Sequence, residues 1–147
     1  MSLERTLEKA LSFFSSVPVD VTIDDSAPEH LKTGVRGENL AAKYLASLGY
    51  RLLARNARSR FGEIDIVARD GEDIVFAEVR TRSVGKILPA DRTVGPDKLK
   101  KLVRAARIWV SENNYEGFWR IDLVAVTINP DGQTEIEHIK DITEGIQ

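Results

Sequence analysis

Glu63, Asp65, Glu78 and Arg80 stand within eighteen consecutive residues, in two strand-like runs, Gly62-Glu63-Ile64-Asp65-Ile66-Val67 and Val75-Phe76-Ala77-Glu78-Val79-Arg80. Carboxylates two residues apart on a strand project from one face. Acids gathered at the end of an apolar surface repel one another, so they either hold protons or recruit a cation. Ligands that are all oxygen, with room for water, suit Mg²⁺ or Mn²⁺. A divalent ion in such a cup can activate a water and offset charge building on a phosphodiester. The same residues fit a plainer arrangement, a salt-bridge patch with Arg80, Arg58 or Arg60, and the pattern alone leaves both open.

The two runs must be paired for any of this to work. Asp70-Gly71 between apolar alternations is a hairpin signal. A turn centred there sets Arg69 opposite Glu72, Val67 opposite Ile74, Asp65 opposite Phe76, Glu63 opposite Glu78 and Phe61 opposite Arg80. Glu63, Asp65, Glu78 and Arg80 then share a face, with directly opposed residues ~5 Å apart. A slip of one residue would turn every side chain over.

Around the hairpin, the periodicities predict a helix over 34–48 with Leu40, Ala41, Tyr44, Leu45 and Leu48 on its apolar stripe and Gly49 as its C-terminal cap. A strand follows over 50–56, then the hairpin strands 62–69 and 73–82. A loop over 83–95 leads to a helix over 96–113, with Pro96 in its first turn and Leu99, Leu102, Val103, Ala106 and Val110 facing inward. Strands over 118–128 and 134–139 close the domain, the last at an edge, joined by the turn Asn129-Pro130-Asp131-Gly132. Gly34 and Gly37 read as a helix start rather than a phosphate loop. Residues 1–31 read as an arm, a short helix from Ser2 and a Pro- and Asp-rich linker, ahead of an α/β domain over 32–147. Helix, three strands, helix, two strands predicts a mixed sheet flanked by helices.

Composition narrows the chemistry further. The chain of 147 residues has no cysteine, which excludes disulfides, thiolate metal sites and cysteine nucleophiles. Its two histidines, His30 and His138, lie outside the acidic runs and read as bystanders. No apolar run approaches the ~20 residues of a membrane span, and Glu4, Arg5, Glu8 and Lys9 interrupt any signal-peptide core. The reading is a cytoplasmic protein. The net charge of −2 conceals a basic middle: 17 Lys and Arg against 9 Asp and Glu between positions 32 and 107, a net +8, between acidic flanks. Such a middle faces polyanions or is a solvated surface.

The run GVRGENLAAKYLASLGYRLLARNARSRFGEIDIVARDGEDIVFAEVRTRS, continuing through PDKLKKLVRAARIWV and WRIDLVAV, resembles the YraN-like family of uncharacterised bacterial proteins. The resemblance implies a PD-(D/E)xK, restriction endonuclease-like fold, similar to the archaeal Holliday-junction resolvases. It implies that Asp65 and Glu78 hold a divalent metal, that Glu63 is structural or a supporting ligand, and that Glu38 is the acid resolvase-like members supply from the first helix. Glu38 is equally an ordinary first-turn acid by helix-dipole arguments. The element's lysine is Arg80 here. A guanidinium stays charged at accessible pH, so Arg80 can clamp a phosphate but cannot act as a general base.

Arg58, Arg60 and Arg82 at the strand ends, and Lys98, Lys100, Lys101 and Arg104 on the second helix, form the expected nucleic-acid surface. Lys100, Arg104 and Arg107 fall on one helical stripe able to contact phosphates. Lys100 or Lys101 is the candidate to replace the missing site lysine. The aromatic residues Trp109, Tyr115, Phe118 and Trp119 are expected to pack rather than stack bases. The leading expectation is a Mg²⁺- or Mn²⁺-dependent nuclease of structured or branched DNA, as a homodimer by resemblance. The alternatives are a catalytically silent nucleic-acid-binding module and a protein-interaction domain on the same scaffold.

Overall fold

The computed structural model describes residues 17–83 and 94–143. Among them two helices and five strands run in the order α1 (Glu29–Ser47), β1 (Arg51–Ser59), β2 (Gly62–Asp70), β3 (Asp73–Ser83), α2 (Pro96–Glu112), β4 (Trp119–Ile128) and β5 (Thr134–Ile139). The N-terminal helix expected from Ser2, and Lys86 and Arg92 of the predicted loop, lie outside the described residues.

The strands form one sheet in sequence order, β1-β2-β3-β4-β5. Every neighbouring pair is antiparallel except β3 and β4, which run parallel from Ile74↔Trp119 to Ser83↔Ile128 across the α2 connection. Each face of the sheet carries its own core. Leu99, Leu102, Val103, Ala106 and Trp109 of α2 pack on Val67, Ile74, Phe76 and Ile121. Ala41, Ala42 and Leu45 of α1 pack on Ile66, Ala68, Val75, Ala77, Val124 and Val126. The central strand β3 is therefore buried on both sides over residues 74–78, as its near-continuous apolar run requires. The mixed, helix-flanked sheet predicted from element order is the one observed.

Several boundaries differ. Helix α1 begins five residues earlier than its periodicity indicates, because Pro28 supplies a first-turn φ of −55° and its carbonyl accepts the Leu31 and Lys32 amides. It ends as expected at Gly49, whose φ of +89° lets the Gly49 and Tyr50 amides turn back to the Ala46 and Leu45 carbonyls. Leu48, expected on the apolar stripe, is exposed. Strand β1 runs on to Ser59 because pairing with β2 continues to Ser59↔Gly62. Phe118, expected to pack, is 84% exposed. The alternation that turns Trp119 edge-on to Phe76 turns Phe118 into solvent.

Gly37 is not a helix start but the point where α1 presses on β3. A Cβ there would collide with the Thr81 side chain. Gly34, one turn earlier, has nothing within 4 Å of its Cβ position. Alanine at the two sites should therefore act in opposite directions. Gly34→Ala should stabilise by about 0.5–1 kcal/mol through helix propensity. Gly37→Ala should destabilise by about 1–3 kcal/mol through overpacking. Urea midpoints of the two variants test the contrast, and a stabilising Gly37→Ala would contradict the close contact.

At the sheet's other side a buried polar network joins β4 to β5. Asp122, fully buried, accepts from Arg120 (Nε to Oδ1, 3.0 Å) and the Asp141 amide (2.9 Å), and its Oδ2 lies 2.7 Å from His138 Nε2. Burial pushes the Asp122 carboxyl up, but these hydrogen bonds prevail and hold it below its ordinary range. His138 is thus a structural partner in the core, and Arg120 and Asp122, two residues apart on β4, pair with each other.

Candidate metal centre

The hairpin register places the acids. Asp70 pairs with Asp73, leaving Gly71 and Glu72 as the turn, with φ +60° at Gly71. The ladder therefore runs Arg69↔Ile74, Val67↔Phe76 and Ile66↔Ala77. This corrects the expected register by two residues, so Glu63 does not oppose Glu78 and Asp65 does not oppose Phe76. The β2–β3 ladder stops at Ile66↔Ala77, while β2 stays paired to β1 and β3 to β4. The hairpin strands fork there. Inside the fork the Val79 amide donates not to a β2 carbonyl but to Asp65 Oδ2, at 2.8 Å.

The alternation of β2 also slips at Asp65. Ile64 and Val67 both pack on the α2 side, and Ile66 packs on the α1 side. Across the β1–β2 ladder the pairing passes from Arg55↔Ile66 to Ala57↔Ile64, and the intervening Asn56 takes φ +50°. The expected single acidic face is therefore replaced by a rim that both helices reach. Glu38 of α1 comes to Glu63 and Asp65, and carboxylate oxygens of these three lie within 4.8 Å of one another. Lys98 of α2 approaches Glu78 (Nζ to Oε1, 3.6 Å), as does Arg80 (Nε to Oε1, 3.7 Å).

The cluster is electrostatically loaded. Burial, then the charge of Asp65 and a hydrogen bond to it, push Glu38 up to about 8, against the opposing pull of Arg55. Burial and then Asp65 push Glu78 up to about 7, although Lys98 and Arg80 pull it down. Glu78 is 6% exposed, and its Oε2 is buried without a hydrogen-bond partner among the described residues. Three converging carboxylates and a fourth with an unsatisfied oxygen are a hard-oxygen donor set, which fits a divalent cation. Glu38, Glu63 and Asp65 could hold a metal ion.

Of the residues expected at the site, Glu38, Glu63 and Asp65 come together, and Glu78 and Arg80 form an adjoining group. Arg58, almost fully exposed, pairs with Glu63 (Nε to Oε2, 3.4 Å), so one contact of the plain salt-bridge arrangement is present as well. Lys98, Lys100, Lys101 and Arg104 are exposed on α2. Arg60 lies against Phe61. Arg82 sits further along β3, level with Thr127 of β4. The lysine beside Glu78 is Lys98, rather than Lys100 or Lys101. Two further residues join the cluster. Asn56, with its amide turned to donate, has Nδ2 2.8 Å from Glu63 Oε1 and 3.3 Å from Glu38 Oε1. Arg55 interacts with Glu38 and Asp65 while donating to Asn39 Oδ1 (3.2 Å) and the Val19 carbonyl (2.8 Å). The one signal in the sequence was an asparagine inside a strand pattern, since Asn tolerates positive φ.

A five-stranded mixed sheet between two helices, opened by an acid-lined fork in its hairpin, defines a restriction endonuclease-like α/β domain. The family model described as "Uncharacterised protein family UPF0102" matches residues 37–126. The chain belongs to that family, in agreement with the YraN-like resemblance. Similar proteins include the UPF0102 proteins of Syntrophus aciditrophicus, 44% identical over 79% of this chain and 91% of the relative, and of Mycolicibacterium vanbaalenii, 42% identical over 74% and 91%. That of Thermotoga maritima is 44% identical over 74% of this chain and 94% of its own. The family match spans the fork, α2 and the part of α1 from Gly37 onward. Among the described residues no helix is long and apolar enough to cross a membrane.

Proposed function

We propose that the protein is a divalent-metal-dependent nuclease acting on structured or branched DNA in the cytoplasm, with the β2–β3 fork as its active site. The observation that carries this reading is the convergence of Glu38, Glu63 and Asp65 within 4.8 Å at a cost visible in Glu38 itself. Acids held together against their own repulsion call for a cation. Glu38, Glu63 and Asp65 would hold Mg²⁺ or Mn²⁺, with Glu78 as the adjoining acid. When bound, the ion would polarise a phosphodiester and lower the pKa of a coordinated water.

The chain's own groups divide the remaining work. The Val79 amide fixes the Asp65 carboxylate by hydrogen bonding to Oδ2. Asn56 and Arg55 orient the Glu38–Glu63 side of the cluster. Arg80 stands as an electrostatic clamp for the non-bridging phosphate oxygens. Lys98 brings to Glu78 the ammonium that the Arg80 position lacks. Unlike a guanidinium fixed in one plane, its three N–H donors can turn to orient a water. The exposed stripe of Lys100, Lys101, Arg104 and Arg107 would track the backbone. A homodimer would match the two-fold symmetry of a four-way junction.

Labelled duplex, single strand, flap and four-way junction incubated with Mg²⁺ or Mn²⁺, with EDTA and Asp65→Ala as controls, test the reading. Metal-dependent cutting lost in Asp65→Ala is expected. Binding without cutting would indicate the silent module instead, and no binding at low salt an interaction domain.

Metal binding should also register as stability. Glu38 and Glu78 have folded pKa values raised to about 8 and about 7, above their ordinary value of 4.5. Their contribution to metal-free stability is fully present below pH 4.5 and is lost as pH rises through 7 and 8. The cation needs the same groups ionised. Metal-free Tm should fall between pH 5 and 8, and Mn²⁺ should raise Tm more at pH 8 than at pH 6. At 100 times Kd the gain at pH 8 is about 2.7 kcal/mol, on the order of 10 °C. A metal-induced shift independent of pH would argue against these acids as ligands.

A further inference from the structure

Beside the acid cluster lies a cavity of about 210 Å³, lined by Phe61, Gly62, Glu63, Lys98, Lys101, Leu102 and Ala105. We propose that it is a subsite for one unstacked nucleobase, so that the preferred substrate carries an unpaired nucleotide next to the bond to be cut. The proposal deepens the nuclease reading and rests on it for the neighbouring chemistry.

The cavity is contiguous with the fork. Glu63 belongs to both, and Lys98, on the cavity wall, reaches Glu78. A ligand seated here would therefore touch Glu63, a residue of the proposed metal centre. Its volume is below the ~300–1,000 Å³ of clefts that take drug-sized molecules and suits a single planar ring. Leu102 and Ala105 give it an apolar floor.

Phe61 is the telling residue. It occupies the two-residue turn Arg60-Phe61 between β1 and β2, closed by the pair Ser59↔Gly62. Ser59 Oγ accepts the Phe61 amide (3.2 Å) and donates to the Gly62 carbonyl (3.0 Å), so the turn is braced from within. Gly62 at φ +130° allows the sharp return into β2. A phenylalanine held on a braced hairpin tip, half-exposed, has little to do for the core. Its ring already carries guanidinium groups, Arg60 Cζ at 5.2 Å and Arg104 Cζ at 5.4 Å from the centroid. An aromatic ring and arginine planes are the surfaces on which bases stack without regard to sequence. Lys98 and Lys101 at the wall, with Arg58 and Arg104 beyond, offer cations for the phosphates on either side. A nucleotide has this combination of a flat ring and flanking anions. A base buried in a duplex cannot reach such a cavity without being turned out of its stack, which is easiest where it is already unpaired.

The test is direct binding in EDTA at low salt, where no cutting interferes. Two duplexes are compared, one with a single bulged 2-aminopurine and one with the same base paired. Wild type should bind the bulged form at least about ten-fold more tightly and change its fluorescence as the base stacks. Phe61→Ala should lose about ten-fold in affinity for the bulged form, within the range of one base–aromatic stack, and keep its affinity for the paired form. Phe61→Trp should retain the preference, which separates stacking from turn stability. Equal binding of the two duplexes by wild type, or an undiminished preference in Phe61→Ala, overturns the subsite. Parallel Mn²⁺ reactions keep the two ideas apart. Cutting without a bulge preference removes the subsite and leaves the nuclease, whereas a Phe61-dependent preference without cutting does the reverse.

Discussion

Replacing Asp65 with Asn is expected to abolish metal-dependent cutting while making the metal-free protein more stable at pH 8. The two effects share a cause. Asp65 raises the pKa of both Glu38 and Glu78, so it is the charge to which both neighbouring acids respond. Asparagine can still accept the Val79 amide through its side-chain carbonyl, so the fork keeps its brace. What disappears is the negative charge. Two like charges 4 Å apart repel by about 4 kcal/mol at an effective dielectric of 20. Solvent reaches this half-buried rim and reduces the net gain to about 1 kcal/mol, or several degrees in Tm. The pH dependence follows. With Asp65 neutral, Glu38 and Glu78 titrate closer to 4.5, and the fall in metal-free Tm between pH 5 and 8 becomes shallower. On the catalytic side the variant loses a ligand and the cation it helps hold, so cutting should drop by at least about 10³-fold. The Mn²⁺-induced rise in Tm should vanish with it. Thermal melts in EDTA and in Mn²⁺, alongside junction cleavage, measure all three. A variant that is less stable without metal, yet cuts normally, would make Asp65 a structural residue and dissolve the proposed centre.

The acidic cluster was legible as a gathering at one end of the hairpin, not as a single face. The Asp-Gly signal locates the turn but not its loop: Asp70 is still paired, and Gly71 takes the first loop position. The resulting slip of two residues keeps the alternation of the paired residues 66–70, so the hairpin's acids were still drawn to one end, but the slip of β2 at Asp65 breaks the single face expected for them. The fork itself was not legible. It depends on β3 leaving β2 to follow β4, a parallel partner 45 residues away in sequence, and on Asn56 turning left-handed in β1. Neither leaves a local periodic trace. Glu38 was readable as a residue spaced with Ala42 and Leu45, but its reach depends on Gly37 against Thr81, a contact between distant elements. On α2 the helical phase was available. Leu99, Leu102, Val103 and Ala106 face the sheet. Lys98 flanks that stripe on one side and approaches Glu78, whereas Lys100 lies on the other flank. The chemistry of the Arg80 position calls for a lysine there, and the contact with Glu78 selects Lys98.

Lys98→Ala should therefore be the second large loss, and it separates Lys98 from the other cations of α2. If Lys98 served only as a phosphate contact, its removal would weaken binding to all nucleic acids and reduce the salt slope by about one, with little effect on kcat. Its position beside Glu78 predicts otherwise. Loss of a cation placed where charge develops should lower kcat by about 10²–10³-fold with a small change in KM. A second readout comes from Glu78. Lys98 pulls the Glu78 carboxyl down toward its present value of about 7, so Lys98→Ala should push it higher. At pH 7 less of it would be ionised, and the acid limb of the pH–rate profile should move to higher pH. Lys100→Ala serves as the control, since it also sits exposed on α2 and should show only the salt effect. Arg80→Lys in the Lys98→Ala background is the rescue. It returns an ammonium to the same rim, from β3 instead of α2, and should recover part of kcat if the ammonium is the missing group. If Arg80→Lys restores nothing, and Lys98→Ala changes KM rather than kcat, Lys98 belongs to the binding stripe and the fork works through its carboxylates and Arg80 alone.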